Sequence, residues 1–279
     1  MRMSRLIKLL GGLSAAALLG GIAHAAGLPT DGNIGLQEAA SANMEMVTKL
    51  HNTVFAVIFA IFVFVVVLML YIMVRFREKA NPVPSKTSHN TMLEVIWTAA
   101  PVMVVLFFLA IATRPLYTLD VIPEADMTIK VVGNQWNWDY SYPDHGDFEF
   151  NSMPMSEEDA KAAGKPVLFA ATDPLVVPAG KTIRVIVTAS DVLHAFAVPA
   201  FAVKIDAVPG RLNETWFKVD KPGTYYGQCS EICGQLHYNM PIEVKVVTPA
   251  QFDAWVLTRN PEFVKTQSST TIEARNTEN

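Results

Sequence analysis

The chain has 279 residues, of which 51% are hydrophobic, and a formal net charge of −4 at pH 7. This length suits one domain of ordinary size with accessory segments, and the acidic balance argues against nucleic acid or an anionic lipid surface as a partner. The apolar residues concentrate in three stretches near the start of the chain, whereas the remainder has the composition of a water-soluble domain.

The first apolar stretch has the pattern of a secretory signal peptide. A basic start is followed by a Gly- and Ala-rich apolar run over residues 9–22, which ends at the small-x-small pattern Ala23-His24-Ala25. Such a run is short for a membrane span and typical of a cleaved signal. The sequence therefore predicts a signal peptide over residues 1–25, with a retained membrane anchor as the alternative.

Two later apolar stretches are long enough to span a bilayer. Residues 53–74 carry no charge, and residues 95–113 form a second uncharged run. A hydrocarbon core of about 30 Å requires roughly 20 apolar residues in a helix. We therefore expect a transmembrane hairpin with helices over about residues 50–75 and 94–114, within an N-terminal region of residues 26–114. A buried globular helix is the alternative for the second run.

The loop between the two runs predicts the orientation. Residues 75–93 carry four basic residues and one acidic residue, and basic residues beside membrane ends stay in the cytoplasm. Both termini and the chain from residue 115 onward are then expected on the periplasmic side of a bacterial inner membrane. This outer part has 13 Lys and Arg against 21 Asp and Glu, a formal charge of −8. Such a charge attracts a basic protein, although solubility alone also explains it.

Short strands dominate the pattern after the second apolar run. Segments rich in Val, Ile, Thr and aromatic residues alternate with turn residues. Many short strands without long helices between them predict an all-β Greek-key sandwich over residues 115–257. The predicted strands are residues 128–133, 136–142, 167–170, 175–177, 182–189, 195–198, 214–219, 224–227 and 242–247.

Two segments depart from the strand pattern. Residues 143–166 form a polar insertion, in which a Ser cap, early acids and a terminal Gly predict a short surface helix over residues 156–164. From residue 258 the chain becomes polar, which predicts a C-terminal tail over residues 258–279 that is mobile at least from residue 266.

The residues that carry chemistry cluster on one predicted loop. The only two cysteines, Cys229 and Cys233, lie four residues apart, His237 follows four residues later, and Met240 three residues after that. Thiolate, imidazole and thioether together are ligands that copper prefers, whereas a thioether is a poor zinc ligand. A disulfide between the two cysteines is the alternative in an oxidising compartment.

A distant histidine completes the predicted site. His194 follows a predicted strand, and a loop with Cys, His and Met joined by such a His describes a cupredoxin-like copper site. One copper ion needs only one cysteine, so the second thiolate predicts two copper ions bridged by both sulfurs. A hydrogen-bonded core histidine is the alternative for His194.

These residues resemble subunit II of the cytochrome c oxidase family, the heme-copper terminal oxidases. The resemblance runs from the first membrane helix to about Trp255. It rests on Gly227-Gln228-Cys229-Ser230-Glu231-Ile232-Cys233-Gly234, His237 with Met240-Pro241, Asp191-Val192-Leu193-His194, Asp206-Ala207-Val208-Pro209-Gly210-Arg211 and Gly133-Asn134-Gln135-Trp136-Asn137-Trp138.

The resemblance implies a subunit that receives electrons from a c-type cytochrome and passes them to heme in subunit I. There oxygen is reduced to water, coupled to proton translocation by the complex. The implied ligands of a binuclear copper A centre are His194, Cys229, Glu231, Cys233, His237 and Met240. Glu231 is implied to give its backbone carbonyl to copper and its carboxylate to a magnesium ion shared with subunit I.

Two further roles follow from the resemblance. Trp136 corresponds to the tryptophan that receives the electron, with an ordinary core aromatic as the alternative. Glu94 corresponds to the entrance of a proton pathway, with a solvated carboxylate as the alternative. A membrane-anchored copper carrier and a quinol oxidase subunit are alternative functions. The first has no use for Trp136, and the second lacks the copper ligands.

The residues expected to dock the cytochrome are Gln135, Asp139, Asp191 and Asp206. The chain departs from its relatives in this region, since it has Asn137 where they commonly carry Tyr and Ser141 where they carry an acid. Asp191 and Asp206, the two acids in the copper-site motifs, are therefore the strongest candidates for docking contacts.

Overall fold

A computed structural model of the chain describes residues 25–83, 85–261 and 263. The predicted signal peptide lies outside the described residues except for Ala25, as does the C-terminal tail from residue 264. After a two-residue strand at Ala25–Ala26, the described part has two long helices and then a β-rich domain with shorter helices.

The two long helices form an antiparallel hairpin. Helix α1 spans Ala42–Arg75 and α2 spans Thr91–Asp120, so each extends beyond its predicted apolar run. The apolar side chains between the helix ends are largely exposed, with Phe64 at 65% and Val74 at 62%. Since 34 helical residues extend about 50 Å, α1 can cross a hydrocarbon core and still project beyond it.

The projecting start of α1 is joined to the β-rich domain. The Ser41 side chain accepts a hydrogen bond from Met44 N, as an N-cap does, and its hydroxyl donates to Phe201 O at 2.9 Å. Ala40 N donates to Ala200 O at 2.8 Å. The chain therefore enters the hairpin directly from a packed surface of the domain.

Two mixed sheets and a hairpin build the domain. In the described part of the chain the strands are β1 (Ala25–Ala26), β2 (Met127–Asn134), β3 (Asn137–Tyr142), β4 (Phe148–Ser152), β5 (Leu175–Pro178), β6 (Thr182–Ala189), β7 (His194–Val198), β8 (Val203–Ala207), β9 (Asn213–Lys218), β10 (Gly223–Gln228) and β11 (Pro241–Val247). One sheet has the order β1-β10-β11-β5, the other β4-β3-β2-β6-β9, and β7 pairs with β8.

The core lies between the two sheets. Strand β6 alternates buried and half-buried residues, so that Ile183, Val185 and Val187 point inward as period-2 alternation requires. The aromatic residues of the core are Trp138, Tyr140, Tyr142, Phe196, Phe201, Phe217 and Tyr225. This is the cupredoxin-like sandwich that the sequence predicted.

The polar insertion is more ordered than its composition indicates. Helix α3 (Glu157–Ala162) forms with the Ser156 cap as predicted, but β4 was not predicted and extends the second sheet beside β3. The predicted strand over residues 167–170 is wrong. Phe169 N and Ala170 N both donate to Pro166 O, which makes this segment a turn.

One buried ion pair ties the insertion to the sandwich. Glu243 on β11 is 1% exposed, and its carboxylate lies 3.0 Å from Lys165 Nζ. The same carboxylate accepts a hydrogen bond from Ala171 N at 2.9 Å. The insertion is thereby fixed against the strand that follows the cysteine loop.

Two other elements were not expected. Strand β8 completes a hairpin with β7, and helix α4 (Pro249–Arg259) occupies the end of the predicted domain and the start of the predicted tail. Thr248 and Gln251 form a capping box at its start. Phe252 and Val256 of α4 are buried against the sandwich.

Candidate metal centre

The predicted ligand loop connects β10 to β11 at one end of the sandwich. Cys229 N donates to Met240 O at 3.0 Å, so the two ends of the loop are held together. Ser230 N donates to Ala195 O at 3.1 Å, which places the first cysteine beside the start of β7. Since β7 begins at His194, this strand brings the distant histidine to the loop.

Sulfur and nitrogen atoms converge inside this loop. The ligand atoms of His194, Cys229 and Cys233 lie within 4.8 Å of one another. His194 Nδ1 is 3.9 Å from Cys229 Sγ, and His237 Nδ1 is 3.5 Å from Cys233 Sγ. Met240 Sδ is 4.0 Å from Cys233 Sγ, and its residue is fully buried.

The two cysteines are not bonded to each other. Their sulfurs are 3.8 Å apart, whereas a disulfide bond measures about 2.05 Å. Sulfurs at this separation are too distant for a bond but close enough to share a metal ion. The geometry therefore favours the metal-site prediction over the disulfide alternative.

The surroundings of the sulfurs shift their pKa values in opposite directions. Burial alone raises the pKa of the Cys229 thiol, but hydrogen bonds with His194 and with the backbones of Glu231 and Ala195 outweigh burial and lower its pKa to about 6. Burial, together with the charge on Cys229, raises the pKa of Cys233 to about 12. Two thiols this close do not both ionise easily without a cation between them.

Asp191 orients the His194 ring. Its Oδ1 lies 2.9 Å from His194 Nε2, and an Nε2–H that donates there leaves the Nδ1 lone pair facing the sulfurs. The ring is fully buried, and Gly133 makes room for it, since a Cβ at that position would lie 3.0 Å from two ring carbons. Trp138 packs edge-on against the same ring at 6.0 Å.

Trp136 and Gln135 contact the loop from outside the core. Trp136 Nε1 donates to Cys233 O at 3.2 Å, and Gln135 Nε2 donates to the same oxygen at 2.7 Å. Trp136 precedes β3 and is half-buried, whereas Trp138 is fully buried in the sandwich. The fold thus separates two tryptophans that strand alternation alone does not distinguish.

The donor set fits copper better than other metals. Two thiols, two imidazoles and a thioether are soft or borderline ligands, as copper prefers. Glu231 O lies 3.4 Å from Cys229 Sγ, so a backbone oxygen is also at hand. The Glu231 side chain is half-buried and makes no hydrogen bond to other described residues, which leaves a carboxylate for a hard cation such as magnesium.

The remaining predicted residues lie apart from the sulfurs. Asp206 is exposed on β8, and Asp139 accepts hydrogen bonds from Asn134 and Asn151 at 2.7 and 2.6 Å. Glu94 is half-buried at the start of α2, where its carboxylate accepts a hydrogen bond from Asn90 N at 3.3 Å. None of these three carboxylates contacts the ligand loop in the described part of the chain.

The sequence did not reveal two functional features of the centre. Gly133 lies within one of the quoted motifs, but its role became clear only in the structure, where the absence of a side chain leaves room for the His194 ring. The contact of the Asp191 carboxylate with the His194 ring was also not predicted, and its Oδ2 accepts a further hydrogen bond from Gln135 N at 2.7 Å. The three-residue spacing to His194 was the available signal.

Comparison with known families agrees with this site. Residues 29–116 match the family model described as cytochrome C oxidase subunit II, transmembrane domain. Residues 127–247 match the family model of the periplasmic domain of the same subunit. The second range contains β2 through β11 and every predicted copper ligand.

Curated relatives carry the same name. A probable cytochrome c oxidase subunit 2 of Rickettsia bellii is 46% identical over 232 residues, which cover 83% of this chain and 86% of the relative. Cytochrome c oxidase subunit 2 of Cereibacter sphaeroides is 40% identical over 87% of this chain and 88% of its own length. These relatives are subunits of the oxidase enzyme complex.

A solved structure is also similar. The periplasmic domain of subunit II of cytochrome oxidase of Bradyrhizobium japonicum is 53% identical, with a TM-score of 0.48, and the match covers 51% of this chain and 99% of that one. The family models and the curated relatives span both the hairpin and the sandwich. The chain is therefore a two-pass membrane protein that belongs to the cytochrome c oxidase subunit II family.

Proposed function

We propose that this chain receives electrons for a cytochrome c oxidase. It takes them from a c-type cytochrome and passes them to heme in subunit I, where oxygen is reduced to water and the complex translocates protons. The observation that carries the proposal is the pair of unbonded sulfurs, Cys229 and Cys233, 3.8 Å apart with an imidazole nitrogen beside each.

Six residues would hold a binuclear copper A centre. Cys229 and Cys233 would hold the two ions through their sulfurs, together with the imidazoles of His194 and His237, the thioether of Met240 and a backbone oxygen. When bound, the copper centre would supply a one-electron carrier. The protein contributes a dry, preformed set of donors. The backbone oxygen belongs to Glu231.

The Glu231 side chain is assigned a second metal. Carboxylate oxygen suits a hard cation, so we assign it to a magnesium ion shared with subunit I. Its half-buried position on the ligand loop and its lack of a hydrogen-bond partner among the described residues support this assignment.

Trp136 is assigned as the residue that receives the electron. Its indole N–H bonds to Cys233 O, which connects the ring to a ligand of the centre through one hydrogen bond. Gln135, Asp139, Asp191 and Asp206 are assigned to the cytochrome docking surface. Asp206 is exposed, and the net charge of −8 beyond residue 114 favours a basic donor.

The remaining assignments concern the membrane. The basic loop between the helices would lie in the cytoplasm, and both termini and the copper domain in the periplasm of a bacterial inner membrane. Removal of residues 1–25 as a signal peptide agrees with that orientation. Glu94 would then lie at the cytoplasmic end of α2, where we assign it to the entrance of a proton pathway.

Copper stoichiometry tests the central assignment. The full chain, solubilised in detergent and reconstituted with copper, should bind two ions and give the electron paramagnetic resonance signature of one electron shared by two nuclei. Cys229→Ser should abolish that signature. A single-copper blue spectrum, or a disulfide between the two cysteines in the native complex, would contradict the assignment.

A second experiment tests the electron path. Trp136→Phe should slow oxidation of the reduced cytochrome while copper content stays unchanged. Trp255→Phe is the matched control, because Trp255 packs against Phe148 and Phe150 rather than the ligand loop. Equal rates for wild type and Trp136→Phe would remove Trp136 from the path.

A further inference from the structure

A cleft of about 600 Å³ opens between α1 and α2 at the end of the hairpin nearest the copper domain. On α1 the lining residues recur at helical spacing and include Glu45, Lys49 and Leu50. On α2 they include Ile111 and Arg114. The cleft therefore combines an apolar wall with three charged side chains.

The charged residues lie at the level of lipid headgroups. Lys49 precedes the uncharged run of residues 53–74 by one helical turn, and Arg114 directly follows the uncharged run of residues 95–113. Because the helices are antiparallel, both cations lie at the same end of the hydrocarbon-spanning segments. Cationic side chains at helix ends reach the membrane interface.

The backbone of α2 contributes to the opening. Pro115 lines the cleft and lies inside the helix, where it cannot donate to the Ile111 carbonyl. A proline inside a helix also bends the helix axis. The cleft has room for a small polar group above an apolar wall.

The charges in the cleft are not paired within the described part of the chain. Glu45, Lys49 and Arg114 form no ion pair with another described residue, although all three line the same opening. Two cations and one carboxylate form a pattern that a zwitterion can satisfy. A purely anionic group satisfies the cations but leaves Glu45 facing negative charge.

We propose that the cleft binds one molecule of phosphatidylethanolamine. Its phosphate accepts hydrogen bonds from Lys49 and Arg114, its ammonium group donates to Glu45, and one acyl chain lies along Leu50 and Ile111. Phosphatidylcholine fits less well because its quaternary ammonium has no N–H to donate. This inference depends on the two-pass hairpin and not on the proposed electron path.

Native mass spectrometry of the intact complex, purified from membranes in a mild detergent, tests the proposal. Lys49→Gln combined with Arg114→Gln should retain one phosphatidylethanolamine fewer than wild type, with binding weakened about tenfold for each cation removed. The matched control is Arg75→Gln combined with Lys79→Gln, which removes two cations at the opposite end of the hairpin. Unchanged subunit composition and copper content show that each complex is intact.

The headgroup preference provides a second test. In exchange with defined lipids, wild type should bind phosphatidylethanolamine more tightly than phosphatidylglycerol or phosphatidylcholine, and Glu45→Gln should lose the preference over phosphatidylglycerol. Equal binding of all three lipids by wild type overturns the proposal. Equal lipid retention by the doubly substituted complex and wild type also overturns it, as expected if another subunit fills the cleft.

A third measurement needs no variant complex. A photoactivatable phosphatidylethanolamine added to the wild-type complex should crosslink to peptides that contain residues 45–50 or 110–118. Crosslinks confined to other peptides would show that the lipid does not enter the cleft.

Discussion

Replacing Asp191 with Asn distinguishes a positioning role from a docking role. The carboxylate accepts three hydrogen bonds, from His194 Nε2 and Val192 N at Oδ1 and from Gln135 N at Oδ2. An Asn side chain has one oxygen and one NH2 group. Whichever way it is oriented, its NH2 group faces an N–H donor, and at least one of the three hydrogen bonds is lost.

The expected loss of copper affinity follows from typical values for these contacts. A hydrogen bond to a charged group contributes about 1.5–3 kcal/mol, and a change in the residue behind a ligating histidine typically weakens metal binding about 10–100-fold. A 100-fold loss corresponds to about 2.7 kcal/mol, so the two estimates agree. Asp191→Asn should therefore weaken copper binding within that range and perturb the spectrum of the centre.

Copper titration against a competing chelator measures the affinity, and electron paramagnetic resonance measures the spectrum. Asp206→Asn is the control, since that side chain is exposed and its hydrogen bond to Asn213 uses only the backbone oxygen. It should change the KM for cytochrome without changing copper affinity. If Asp191→Asn also raises only the KM, the carboxylate does not position His194 and the reasoning is wrong.

Three other predictions concern the sandwich. Gly133→Ala places a Cβ 3.0 Å from the His194 ring, so it should cost about 1–3 kcal/mol of unfolding free energy and lower copper retention in thermal melts. Glu243→Gln removes the negative charge paired with Lys165 and should cost on the order of 3 kcal/mol in denaturant unfolding, whereas Glu243→Asp should cost less. Hydrogen bonds from a backbone N–H and from a lysine hold the pKa of Asp126 below its ordinary 3.8. The stability that this carboxylate contributes is present above that pH and is lost as the pH falls below it. Asp126→Asn should therefore make the free energy of unfolding depend less on pH in the acid range. An unchanged dependence on pH would contradict this prediction.

The hairpin and the ligand loop could be predicted because their signals are local. An uncharged apolar run such as residues 53–74 is compatible with few structures other than a membrane-spanning helix. The spacing of Cys229, His237 and Met240 brings an unusual combination of ligand types together on one loop. The choice of a metal site over a disulfide rested on residue types alone. The 3.8 Å separation of the sulfurs agrees with that choice.

The errors arose where long-range contacts decide the structure. Residues 167–170 are apolar enough for a strand, but Leu168 has a left-handed φ of 68° and the segment turns. Strand β4 alternates Phe148 and Phe150 with polar residues, a signal hidden by the acidic residues around it. The pair of Lys165 and Glu243 joins residues 78 apart, and no local pattern indicates such a contact.

The joint between the hairpin and the domain has a mechanical consequence. One hydroxyl, on Ser41, caps α1 and donates to Phe201 O, while Phe201 is itself stacked against Phe217 in the core. The hairpin cannot pivot against the sandwich without uncapping its own first turn and unpairing a buried carbonyl. These contacts restrain the domain, and the ligand cluster within it, relative to the start of α1. In the proposed electron path, such a restraint would keep constant the distance from the centre into the membrane, on which electron tunnelling depends steeply.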